Sequence, residues 1–322
     1  MPKINVLNYF YAKLPDLDAD FTVKRGKSHP RFFQMHPKPP KQRIKGRMTF
    51  ETNKEVLDWY ERQPRTLTAE FISRINWADV KNYELDKRFV PVLLYMRDVE
   101  ALTDVYYKEL LRTPTGKDPI ISKFMERWNV EEVTHGELIN RFLNEAGIET
   151  SEKWQVQVKK QVSRFYTMNT YLLTTLTNLI GKQFTATHMT FGAIHEMSTG
   201  QGYRRLIKMA DHPVLTEILT GIMREESAHT RFYANVAQLE LKKSPFAQKV
   251  ARFVVNKFWS PVGQGAKPKK QTDYTIATLF GGTEGLDWIE RNVTQKIRTF
   301  PGFENLTKIT DTIAKAANRK FA

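Results

Sequence analysis

Two copies of one short motif constrain this chain more than any other feature of it. Glu131-Glu132-Val133-Thr134-His135 and Glu225-Glu226-Ser227-Ala228-His229 each hold a glutamate and a histidine three positions apart. On an α-helix, residues i and i+3 share a face with Cβ atoms about 5–6 Å apart. A carboxylate and an imidazole held that way can ligate one metal ion. One such pair arises readily by chance, but of the seven histidines only His135 and His229 carry a glutamate at that offset. Both pairs fall inside long stretches of helical periodicity.

The spacing of two further glutamates gives the motifs partners. Glu100 and Glu132 each lie sixteen residues from Gly116 in the turn Thr113-Pro114-Thr115-Gly116 (116 − 100 and 132 − 116). Glu196 and Glu226 each lie fifteen from Asp211 in Asp211-His212-Pro213 (211 − 196 and 226 − 211). Residues equidistant from the turn of an antiparallel helix pair sit at one height, so each hairpin sets a glutamate beside a Glu-x-x-His. Two such hairpins bring Glu100, Glu132, His135, Glu196, Glu226 and His229 together inside a four-helix bundle, the ligand set of the di-iron and di-manganese carboxylate proteins. Four carboxylates and two imidazoles form a hard, oxygen-rich set that suits iron, with manganese possible, over copper or a structural zinc. Without cations, so many buried acids would repel one another.

The rest of the chain reads as all-α. Helices are expected from Glu51 to Arg62, Thr68 to Trp77, Asp86 to Leu111, Asp118 to Ala146, Lys153 to Ile180, Lys182 to Ala210, Val214 to Leu241, Phe246 to Trp259, Thr283 to Phe300 and Asn305 to Asn318. No strand, phosphate-binding glycine loop or serine or cysteine nucleophile constellation is expected. On the first core helix Phe89, Leu93, Met96, Glu100, Thr103 and Tyr107 form the inner stripe, with Arg97, Asp104 and Lys108 on another. On the second, Trp128, Glu132 and His135 face inward while Arg127 and Glu131 point aside. His188 and His195 read as ordinary packing or surface residues. Met96, Thr103, Met189, Tyr203, Leu206 and Ile222 could line an internal channel or be plain core.

Composition limits the partners and compartment. The formal charge is +15, which points to an acidic partner. Nine of the basic residues lie between Lys24 and Arg47 with no acid among them. Residues 1–47 therefore read as a basic, largely irregular arm, and 48–322 as one domain whose metal-bearing bundle covers about 86–241. Nucleic acid is not the expected partner, because no known binding module surrounds the arm. No apolar run reaches the roughly 18 residues of a membrane span, and no secretory signal is expected at the start. The absence of cysteine rules out disulfides and fits a reducing interior.

With these residues placed, the sequence resembles the soluble acyl-acyl-carrier-protein desaturases, a ferritin-like di-iron family, from about Phe89 to Ser260. Trp128-Asn129-Val130-Glu131-Glu132-Val133-Thr134-His135-Gly136 is similar to the family's Trp-x-x-Glu-Glu-x-x-His-Gly signature. Glu225-Glu226-Ser227-Ala228-His229 is similar to its second motif, which usually reads Asp-Glu-x-x-His. Glu225 departs from that Asp, to which a part in electron relay is attributed. Glu196 with Thr199 is similar to the family's Glu-x-x-Thr, whose hydroxyl is implicated in oxygen activation.

The resemblance implies a ferritin-like four-helix bundle with flanking helices and two iron ions per chain. It also implies O2-dependent formation of a cis double bond in an acyl chain carried on acyl carrier protein. A ferredoxin-type electron donor, a homodimer, and a cytoplasmic location (or the plastid stroma for a processed plant protein) go with it. One rival, a di-iron oxygenase acting on another substrate, uses the same six ligands; the other is a ferritin-type ferroxidase, against which the chain length and Thr199 stand. A ribonucleotide reductase small subunit fits less well, because its first ligand is usually Asp and a radical tyrosine is expected near the site.

Overall fold

The computed structural model describes residues 4–5, 49–163, 177–178 and 180–318. In chain order the named elements are β1 (Ile4–Asn5), α1 (Asn53–Glu61), α2 (Ala69–Arg74), a 3-10 turn (Trp77–Asn82), α3 (Phe89–Leu110), α4 (Pro119–Glu145), β2 (Ile148–Glu149) and α5 (Trp154–Gln161). A second 3-10 turn (Gly181–Phe184) leads into α6 (Thr185–Ala210), α7 (Pro213–Lys243), α8 (Pro245–Phe258), α9 (Lys269–Phe280) and α10 (Gly282–Ile289). A π-turn (Glu290–Thr294), α11 (Gln295–Ile297) and α12 (Lys308–Ala317) close the chain. The fold is all-α; among the described residues the departures are the parallel pairing of the two-residue strands β1 and β2 and an isolated bridge between Gln264 and Lys267.

Three helices start alike, with a capping side chain followed by proline. Asp118 accepts from Ile120 N and Ile121 N ahead of Pro119. His212 accepts from Leu215 N ahead of Pro213, and Ser244 from Ala247 N ahead of Pro245. Each cap satisfies an otherwise unpaired N–H, and proline has none to leave unpaired at that position. His212 is buried, and its Nε2 meets Val80 O at 3.1 Å. Accepting at Nδ1 and donating at Nε2 makes its neutral tautomer the natural one, and burial keeps its pKa below the usual imidazole value.

The two expected hairpins form. In α3–α4 the turn needs a glycine: a Cβ on Gly116 would stand 2.1 Å from Leu110 O. In α6–α7 the turn residue is Asp211 in the left-handed region, φ 47°, where a short polar side chain is tolerated. At Gly192 the α6 backbone packs directly on the Tyr233 ring of α7, from which a Cβ would stand 2.2 Å. Helix α4 packs on α7 and joins the hairpins, α1 lies across α4 and α7, and α9 lies on α3 and α6. One buried apolar cluster runs from Val56 to Ala316.

Several boundaries and faces differ from expectation. A single helix from Lys153 to Ile180 does not form: α5 ends at Gln161 because Val162 is extended (ψ 124°), and residues 164–176 and 179 lie outside the described ones. The basic arm from Lys24 to Arg47 also lies outside them. Helix α2 stops at Arg74, ahead of extended Ile75. Helix α9 forms where no helix is expected, because its Thr-rich sequence carries little amphipathic signal.

From Phe89 to Leu102 helix α3 is buried on nearly all sides, so Arg97 is buried although Asp104 and Lys108, on the same stripe, reach the surface. It packs 4.7 Å over the Trp154 ring and pairs with Asp98 at 2.5 Å. Asp98 in turn takes Lys267 Nζ at 2.6 Å. The cover comes from α5 and the 259–268 loop, segments distant in sequence from Arg97.

Candidate metal centre

Side chains from the four long helices converge midway along the two hairpins. Glu100 comes from α3, Glu132 and His135 from α4, Glu196 from α6, and Glu226 and His229 from α7. All six are buried, the two imidazoles completely. They fall into two overlapping groups. Glu100, Glu132, His135 and Glu226 each offer a ligand atom, all within 4.8 Å of one another, and so do Glu132, Glu196, Glu226 and His229. Glu132 and Glu226 belong to both groups, so their carboxylates lie between the two positions. The imidazole rings are 6.0 Å apart.

Glu131 does not point aside. It is buried, and its Oε2 meets His229 Nε2 at 2.7 Å. Tyr60 of α1 donates to the same oxygen at 2.7 Å, and Arg127 Nε donates to Oε1 at 2.8 Å. Glu225 repeats the pattern: its Oε2 lies 3.1 Å from His135 Nε2, and its Oε1 accepts from Thr66 N (2.7 Å) and Leu67 N (2.9 Å). The connections are crossed, each imidazole being tied to the carboxylate that precedes the other hairpin's ligand pair. Arg65 serves both carboxylates, 3.6 Å from Glu131 and 3.8 Å from Glu225.

The outer glutamates are held across the hairpins as well. Trp128 of α4 donates to Glu196 at 3.0 Å, and Tyr203 of α6 donates to Glu100. The sequence signal for these roles was adjacency: each motif opens on two consecutive glutamates, of which one faces the centre and the other reaches across to the opposite histidine.

The atoms left without partners test whether the residues fit metal ions. Glu132 Oε1, Glu226 Oε2, His135 Nδ1 and His229 Nδ1 are buried and make no well-directed hydrogen bond, although Glu132 Oε1 and His229 Nδ1 stand only 2.9 Å apart. Buried polar atoms are normally paired, and these four all face the shared centre. With each Nε2 donating to a carboxylate, each Nδ1 presents its lone pair inward, as in metal-ligating histidines. The donor set therefore fits two hard cations.

Protons compete for the same atoms. Burial, and then the charge of Glu132, raises the pKa of Glu100; burial and the charge of Glu226 do the same for Glu196. Burial opposes a charge on His135 and His229, yet the surrounding carboxylates and hydrogen bonds push both imidazoles well above their ordinary value. Burial also works against ionised Glu131, but the bonds from His229, Tyr60 and Arg127 outweigh it and bring its pKa to about 2. Metal binding at such a site releases protons.

An almost wholly apolar cavity of about 80 Å³ reaches the centre at Glu100 and Thr199. Its wall includes Tyr95, Met96, Trp259 and Leu279. Of the six channel candidates only Met96 lines it. Met189, Leu206 and Ile222 are core, Tyr203 is engaged with Glu100, and Thr103 bonds the Glu100 carbonyl. Tyr95 and Val99 of α3 and Ser198 and Gly202 of α6 also line it, and the rest of the wall comes from α9, α12 and the loop after α8. His188 and His195 stay outside the centre, bonded to Thr115 and to Ser260 O, with pKa values lowered by burial to about 3 and about 4.

Among known families, residues 100–261 match the model described as fatty acid desaturase. That stretch is half of the chain; it begins on Glu100 and encloses all six converging residues. Comparison with curated proteins and with solved structures gives no match.

Proposed function

The chain belongs to the fatty acid desaturase family, and from that premise we propose that it is an acyl-acyl-carrier-protein desaturase with two iron ions on a ferritin-like bundle. Glu100, Glu132, His135 and Glu226 would hold one ion, and Glu132, Glu196, Glu226 and His229 the other. The pair, when bound, supplies the O2-dependent removal of two hydrogens from adjacent methylenes, giving a cis double bond. Two electrons from the acyl chain and two from a ferredoxin-type donor reduce O2 to two waters. The observation that carries the reading is an apolar cavity reaching a buried set of paired carboxylates and imidazoles at Glu100 and Thr199.

The protein's own groups have definable tasks. Glu131 and Glu225 orient the imidazoles and fix which nitrogen faces the centre. Trp128 and Tyr203 hold Glu196 and Glu100 at the ends of the site. The cavity wall keeps water from the acyl chain and presents its methylenes side-on. Thr199, half-buried at the junction of cavity and centre, is the hydroxyl placed to move a proton there. The acidic carrier protein would be attracted to the basic surface, to which Lys24 to Arg47 contribute. A homodimer in the cytoplasm, or in the plastid stroma for a processed plant protein, completes the proposal.

The test is purified, iron-loaded protein with a reduced ferredoxin system and palmitoyl- or stearoyl-loaded carrier, with products resolved by gas chromatography and mass spectrometry. A monounsaturated chain is expected. A hydroxylated chain would assign the site to an oxygenase, and oxidised iron with intact acyl chains to a ferroxidase.

A further inference from the structure

Helix α8 carries an aromatic, cationic face that no part of the described protein covers. Its inward side is Ala247, Ala251 and Val255, buried at successive turns against α6 and α7. Its outward side carries Phe246 and Phe253, two turns apart, on one meridian with Lys249 and Lys257. Phe246, Phe253 and Phe258 are 55%, 57% and 63% exposed, and no other described phenylalanine is comparably open. The Phe253 and Phe258 rings lie 6.3 Å apart, so these two form a patch rather than scattered contacts with water, and Phe246 stands two turns along the same face from Phe253.

The helix contains no acidic residue. Lys242 and Lys243 precede it, and of these Lys243 is paired with Glu240. Among the described residues Arg252 is the one basic residue of the helix with an acid nearby: after the backbone hydrogen bonds, its charge lowers the pKa of Glu304. Lys242, Lys249 and Lys257 have no ion pair among the described residues. Protein–protein interface cores are depleted in lysine. Phenylalanine among lysines is the composition of helices that lie in the boundary layer of a bilayer, with rings among the upper acyl carbons and ammonium groups at anionic headgroups. The position of the patch agrees: Trp259 and Pro261, directly after Phe258, belong to the cavity wall. No described helix is long and apolar enough to cross a membrane, so contact of this kind would be peripheral.

We propose that α8 is a peripheral docking helix for an anionic lipid surface, entering it with Phe246, Phe253 and Phe258 and anchored by Lys249 and Lys257. Neither metal nor turnover enters the proposal, so it stands or falls apart from the catalytic reading.

The experiment uses the full chain and co-sedimentation with vesicles of phosphatidylcholine alone or with about 30% phosphatidylglycerol, the anionic surface that attracts basic segments. Binding to the anionic vesicles only, weakened by salt, is expected. The triple variant Phe246→Ser/Phe253→Ser/Phe258→Ser should keep its circular dichroism and melting curve yet lose about tenfold or more in affinity at constant salt. The chain has no cysteine, so Phe253→Cys can carry a single environment-sensitive fluorophore. Its emission should rise and shift to the blue on anionic vesicles, whereas a label at Val156→Cys on α5 should not respond. Unchanged vesicle binding by the triple variant would assign adhesion to the remaining basic surface and overturn the proposal, as would a silent label at position 253. Loss of a dimer, or of affinity for an acidic carrier protein, in the triple variant with vesicle binding intact would give the face to a protein partner and overturn it equally.

Discussion

Replacing Glu131 by glutamine removes one negative charge while keeping the shape of the side chain. In the native protein that charge accepts from His229, Tyr60 and Arg127 at 2.7, 2.7 and 2.8 Å. Together they bring its pKa to about 2 from an ordinary 4.5. A carboxylate whose folded-state pKa is depressed stabilises the fold above its unfolded pKa, and that stability is lost as pH falls toward the folded value. The gap corresponds to about 3 kcal/mol at roughly 1.36 kcal/mol per pH unit.

The native protein should therefore exceed Glu131→Gln by about 3 kcal/mol at pH 7, a difference that shrinks by more than half near pH 3. Urea unfolding of chelator-treated protein, followed by circular dichroism across that range, measures it. Losing the group that orients His229 should also weaken metal binding by about 10–100-fold, read by competition with a chromophoric chelator. A stability difference that is small or independent of pH, together with unchanged metal affinity, would refute the assignment of Glu131 as the anchor of His229.

Glu226→Ala should empty both metal positions, because its carboxylate belongs to both groups, whereas Glu196→Ala should spare one; elemental analysis distinguishes two, one and zero ions per chain. Thr199→Val should keep metal content and melting temperature but uncouple O2 consumption from product, seen as a falling ratio of product to O2 consumed. Gly192→Ala drives a methyl into the buried Tyr233 ring, and overpacking of this kind should cost about 1–3 kcal/mol in chemical denaturation. Metal affinity should rise with pH beyond the ordinary imidazole range, since protons on Glu100, Glu196, His135 and His229 must leave first; calorimetry in buffers of different ionisation enthalpy would count them.

The hairpins were legible because their information is local. A turn with equidistant glutamates, a proline behind a capping residue and an i, i+3 pair all lie within one stretch of chain. What lay beyond reach depends on packing between stretches. Glu131 sits within about 100° of Glu132 around its helix, and only the approach of α7 decides that it meets His229 rather than water. Arg97 looks like a surface residue until Trp154 covers it. The cavity wall at Ile276 and Leu279 comes from α9, whose own sequence carries little period because it is buried on several sides, and at Trp259 from the loop after α8.

The crossed carboxylate–imidazole bonds have a consequence for how the protein is made. Each α-hairpin is built from near-neighbour contacts and can form early in folding, as low-contact-order units do. Yet His135 is aimed by a residue 90 positions away and His229 by one 98 positions away. A lone hairpin, emerging first from the ribosome, thus displays a Glu-x-x-His whose imidazole is free to turn, a poor competitor for scarce metal. Only when the second hairpin docks do both rings lock, together and in the same event. Metal capture would then be the closing step of assembly, and a nascent chain would be spared from taking up a metal ion before it has a buried place to keep it.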